Sequence, residues 1–252
     1  DSGRVAVTYR RLETPPGFLA RLLWGDGAKE QMGVAVAAHA RHLLDSAHRL
    51  PPGDAGFGRA LETAFGLARE RTAASSASVE NQAAILALGM LFGHPRIERF
   101  VGEVLDDEDR ARAQRLGGLK LRDRADWPRH YLVSSALAVL SAEAPSNAVG
   151  LLKEELDAGG GSGFSFADLL ADRAGTAFGL SATRNEAAAR AMQARLGSGF
   201  ALSDFFPEAA DLPEGLQDQE LQARYGGVGG GGYQKLLEEI DRRIAACPAL
   251  SS

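Results

Sequence analysis

After "ETPPG" at 13–17, apolar residues recur at helical spacing in almost every segment of this chain, and Gly- and Pro-containing breaks separate the segments. A sheet would need runs that alternate with a period of two. Only the opening "RVAVTYRRL" (4–12), with Val5, Val7 and Tyr9, offers one. The sequence therefore predicts an all-α fold, a multi-helix bundle of about eight to ten helices in a single domain over 1–252, with a short N-terminal strand as its one β element. Within it lie an N-terminal helical half over about 1–116, a helical core over about 125–180 and a C-terminal extension over about 181–252.

The breaks place the helices. Residues 28–49 carry Met32, Val36, Leu43 and Leu50 close to helical spacing before "LPPGDAG", and 57–73 form a second amphipathic segment. Ser78 is the expected cap of a third helix running to Phe92, where "GHP" stops it. Arg96 to Leu105 sets Ile97, Phe100, Val101 and Leu105 on one face, and "DDEDRARAQR" reads as a solvated charged helix or linker. Trp127-Pro128 suits a helix start, and that helix runs to about Ala142. Another covers 147–157. Ser165 caps one over 166–180, and "TRNE" (183–186) has capping-box form for one reaching Leu196. A flexible "GGVGGGG" (226–232) precedes an amphipathic helix at 233–246.

The chain's 252 residues are enough to bury a core without covalent staples. The net charge of -5 argues against nucleic acid as a partner, since phosphate binding wants a basic surface. Cys247 is the only cysteine, so no intrachain disulfide and no thiolate metal site can form. The most apolar run, "AAILALGMLFG" (83–93), is too short to span a bilayer and reads as a buried helix.

Chemistry concentrates in "KEELDAGGGSGFSFADLLADRAG" (153–175). Gly150, Glu154 and Asp157 are spaced i, i+4, i+7, and Asp168, Asp172 and Gly175 repeat that spacing on the next helix. The short turn between them predicts antiparallel neighbours whose acidic stripes face each other. His130 and Ser134, at i and i+4, add a polar stripe from the preceding helix. Facing carboxylates must hold a proton, a basic side chain or a cation. Lys153 and Arg173 are the expected internal neutralisers. A divalent metal ion is the cofactor such a set would take, with Glu154, Asp157, Asp168, Asp172 and His130 as ligands. The bland reading makes Asp168 a capping-turn acid, Glu154 and Asp157 solvated, and His130 a satisfied core histidine.

At these residues the sequence resembles a known family. "HYLVSSAL" (130–137), "KEELD" (153–157) and "GSGFSFADLLADRAG" (161–175) resemble the YfiM-like family of uncharacterised bacterial proteins, some of them predicted lipoproteins. The resemblance covers about 125–180 and points to His130, Lys153, Glu154, Asp157, Ser165, Asp168 and Asp172. It implies a periplasmic or envelope-associated protein with a protein partner in the envelope, and it brings no activity. Membrane association would come only through a removed leader or lipid anchor; a cytoplasmic place stays open.

Elsewhere, His39, His42, Asp45 and His48 follow at steps of three, so they wind round a helix and cannot converge. Glu80 and Asn81 open the most apolar helix; a buried Glu80 could join the cluster, although first-turn acids usually serve the helix dipole. The glycine run lacks a phosphate-loop ending, and no Gly-x-Ser-x-Gly elbow occurs. Two functions follow. One is an envelope protein whose His/carboxylate cluster is buried and is structural or binds a cation or small ligand. The other is a metal-dependent hydrolase with His130, Glu154 and Asp168 as catalytic residues.

Overall fold

The protein is seen in a computed structural model, in which residues 18–143 and 163–251 are described. These form α1 (Phe18–Ser46), α2 (Asp54–Arg71), α3 (Ala77–Leu88), α4 (Asp107–Ala113), α5 (Trp127–Glu143), α6 (Phe166–Thr183), α7 (Glu186–Gly197), α8 (Asp218–Tyr225) and α9 (Gly231–Ala245). Among the described residues there is no sheet, only isolated bridges at Leu121–Arg124 and Phe164–Leu216. The all-α expectation holds. The strand expected at 4–12 and the helix expected at 147–157 lie outside the described residues.

Helix α3 is the axle of the bundle. Every residue from Glu80 to Leu88 is buried, which is why its sequence lacks a polar stripe. It packs against α1, α2, α5, α6 and α7. Its N-cap is Ser76, whose side chain accepts from the backbone N–H of Val79, two residues earlier than expected from Ser78. Ser78 instead donates its hydroxyl to the Thr183 carbonyl. A π-helical turn (Gly89–Gly93) ends the run, and His94 caps the following 3-10 turn (Pro95–Phe100) through its ring.

Helices α5 and α6 make the most extensive pair. The reason is in the sequence: a Cβ on Gly175 would stand 2.1 Å from the Tyr131 carbonyl oxygen, and one on Gly179 2.6 Å from that of Ser135. Two bare glycines let the backbones meet, at a helix-propensity cost of about 1 kcal/mol each. Ser135 Oγ donates across the seam to the Gly175 carbonyl at 2.9 Å. Tyr131, Phe57, Phe178 and Phe206 fill the space beside it, with Tyr131–Phe57 centroids 5.5 Å apart and nearly perpendicular. Each such aromatic pair adds about 1 kcal/mol beyond simple burial.

Several boundaries differ from expectation. α1 begins at Phe18 rather than 28, so the Gly-containing stretch 25–33 is helical too. α7 is capped by Asn185, not by Thr183 of "TRNE". The glycine run is not a loose tether: Gly226 takes the left-handed C-cap of α8, and Gly230 is already the N-cap of α9.

Candidate functional site

Trp127 and Pro128 open α5, and the first two turns then present His130 and Ser134 on the face turned to α6. Opposite, Ser165 caps α6 by accepting from the Asp168 N–H at 3.0 Å, which fixes the register of Asp168 and Asp172. The expected i, i+4 stripes therefore meet. His130 Nδ1 lies 3.1 Å from Asp172 Oδ1, and Ser134 Oγ donates to that same oxygen at 3.0 Å. His130 Nε2 faces Asp168 Oδ2 at 3.8 Å, while Trp127 Nε1 donates to Asp168 Oδ1 at 3.2 Å.

The cluster sits on the rim of the seam rather than in the core. The side chains of His130, Asp168 and Asp172 are 36%, 25% and 41% exposed, so the expectation of a buried cluster is corrected to a half-buried one. The Asp172 hydrogen bond holds the imidazole above its ordinary value, with the charges of Asp172, Asp168 and Asp126 adding to it against desolvation. Burial raises the Asp168 carboxyl, and nearby Asp126 and Glu214 add to this against the opposing charge of His130.

Arg173 does not neutralise these acids, as the sequence had suggested. It points away from the seam and makes a two-pronged bond to Asp241 of α9, with Nε and Nη2 each 2.7 Å from an oxygen. Adjacent helical residues point about 100° apart, so Arg173 cannot share the Asp172 face. The base that borders the cluster is Arg124. It bonds Asp126 and Glu214 and lies over the Trp127 ring at 4.8 Å from the centroid. Lys153, Glu154 and Asp157 lie outside the described residues. Among the described residues, no group of three or more His, Cys, Asp or Glu side chains could hold a metal ion.

Glu80 is buried, but it does not join the His130 cluster; it centres a second, deeper polar group whose partners the sequence did not reveal. His39 on α1 and Glu80 on α3 are both closed to solvent, with Nε2 and Oε2 3.0 Å apart. Arg71, in the last turn of α2, donates Nε to the same Glu80 oxygen at 2.7 Å. Burial pushes the Glu80 carboxyl up, but hydrogen bonds from His39 and Arg71 outweigh it and hold the group below its ordinary value. Burial pulls the His39 imidazole down, and the charges of Arg71 and His42 add to this against Glu80, so the ring is neutral and donates Nε2–H to the carboxylate. His39 Nδ1 is buried with no partner among the described residues.

Next to this triad, Asn81 donates to the Ala182 and Ala189 carbonyls, and Gln193 donates to Asn81 Oδ1 and Thr72 Oγ1. The four histidine-stretch residues do not converge, as their spacing requires: Asp45 pairs with Arg112, far from the triad. The signal for the triad was available. A carboxylate on a helix with no polar face must be buried, and a buried carboxylate needs partners.

Among the described residues, no nucleophile is poised at either place. Ser134 Oγ donates its hydrogen bond to Asp172, and both ring nitrogens of His130 face carboxylate oxygens. Burial pushes the Cys247 thiol up to about 11, which keeps it protonated at neutral pH. No family model, no curated protein and no solved structure matches this chain.

Proposed function

We propose that this chain is a non-catalytic helical protein of the bacterial envelope, in which His130, Asp168 and Asp172 clamp α5 to α6. The cation that the two aspartates hold is the imidazolium itself. The observation that carries this reading is the pair of contacts at 3.1 and 3.8 Å, which sets a carboxylate oxygen opposite each ring nitrogen. A protonated ring offers no lone pair to a metal. The envelope assignment is supported by the resemblance of 125–180 to YfiM-like proteins.

The test couples a proton measurement with a metal measurement. Nuclear magnetic resonance titration should show His130 losing its proton above the ordinary imidazole value of 6.5. Melting in chelator, and then with Mn, Zn, Mg or Ca added, should leave the transition unmoved. A metal-dependent rise in melting temperature that Asp172→Ala abolishes would overturn the clamp.

One observation favours a second reading, the metal-dependent hydrolase: the raised carboxyl of Asp168 is the environment of a general acid. That enzyme would need His130 deprotonated and Glu154 and Asp157 added to the set. The same metal melt separates the two.

A further inference from the structure

We propose that a groove along α7 binds an extended acidic peptide from a partner protein. The groove, about 570 Å³, runs between α7, the end of α6 and the chain from Pro248 to Ser251. Arg184, the C-cap of α6, and Ala188, Ala191 and Arg195 of α7 all line it. The small alanine side chains leave room for a backbone to lie close, and both arginines line the same groove.

Charge identifies the occupant. Among the described residues neither Arg184 nor Arg195 has an acid partner, in a chain of net charge -5 whose arginines mostly pair with carboxylates. Arg69, also without an acid partner among the described residues, lies against Gly197 just beyond the Arg195 end. The one carboxylate in the lining, Asp204, is engaged by the Ala201 N–H.

Length selects the form of the ligand. From Glu186 to Arg195 α7 rises about 14 Å, and Arg184 lies before its start, so the groove is elongated along the helix. About four extended residues cover that rise, which lets acidic side chains at the two ends of a short segment each meet one planar fork. The overall acidity of the chain favours a peptide over nucleic acid as the source of the negative charge. Both arginines also end helices, where a cation is favoured without any ligand, so a dipole role alone is the competing explanation.

Fluorescence anisotropy decides between them. The probe is a labelled six-residue peptide with glutamate at both ends and alanine or serine between, compared with its glutamine-ended twin on the wild-type protein. The expected result is binding at least about tenfold tighter for the acidic probe, weakening as salt rises. Arg184→Gln and Arg195→Gln should each weaken it, and the double variant should erase the preference. Melting curves of these variants should match wild type, since neither side chain has an acid partner to orphan among the described residues. Equal binding of the two peptides, or unchanged acidic-peptide binding by the double variant, would leave only the dipole role and overturn the proposal. So would displacement of the probe by a single-stranded oligonucleotide at lower concentration than by unlabelled peptide.

Discussion

His39 Nε2 stands 3.0 Å from Glu80 Oε2, a contact between α1 and α3 that spans 41 residues of sequence and is sealed from water. With Arg71 donating to the same oxygen, it ties the first three helices together at one atom.

Glu80→Ala should therefore cost about 3 kcal/mol, because it leaves Arg71 unpaired and His39 Nε2–H without its acceptor. Arg71 is about one-third exposed and can recover some water, which keeps the loss at the low end of the range for broken buried pairs. Urea unfolding checks it. A change under about 1 kcal/mol would show that this triad contributes little to holding α1 against α3.

The two histidines should drive stability in opposite directions with pH. His130 is raised above 6.5, so its contact with Asp172 contributes fully below that pH and fades as pH climbs through the folded value. His39 is lowered below 6.5, so its contribution is present above that pH and is lost as acid forces a proton onto a buried ring. The stability gap between wild type and His130→Gln should accordingly be wider at pH 6 than at pH 9. A gap that is flat, or wider in alkali, contradicts the proton-loaded clamp.

Gly175→Ala and Gly66→Ala should part company. The first drives a methyl group to 2.1 Å from the Tyr131 carbonyl, a backbone atom that can yield only if α5 and α6 separate. Its cost should reach about 3 kcal/mol or more. Gly66, inside α2, has nothing within 4 Å of the added Cβ, so alanine there should gain about 0.5–1 kcal/mol. Thermal melts of the pair give both signs at once.

Tyr131→Phe should be neutral or stabilising by up to about 1 kcal/mol. Among the described residues the buried Tyr131 hydroxyl has no partner, and burial raises its pKa well above the ordinary value. Its ring packs against Phe57, Phe178 and Phe206, and phenylalanine keeps all three contacts. A loss of more than about 1 kcal/mol would mean the hydroxyl has a partner after all.

The helical rhythm and the caps were plain in the sequence because they are local. Ser165 caps α6 and Trp127 opens α5 as their chemistry dictates, and the i, i+4 pairs of the two helices alone brought His130, Asp168 and Asp172 together. What lay hidden was choice among distant partners. Arg173 neighbours Asp172 in sequence, yet helical rotation hands it to Asp241, 68 residues on. Glu80 looked like a first-turn acid serving its own helix. That role belongs to Glu186, which reaches from α7 to accept from Ala77 N, Ser78 N and the Ser76 hydroxyl. His39 gave no local sign because its partner is on another helix.

The placement of α3 has a consequence for biosynthesis. Asn81 leaves the ribosome about a hundred residues before Ala182 and Ala189, the carbonyls to which its amide donates. Until they emerge, the most apolar helix of the chain stays partly uncovered, with its start lacking the Glu186 cap as well. Docking of α3 therefore waits for the synthesis of α6 and α7.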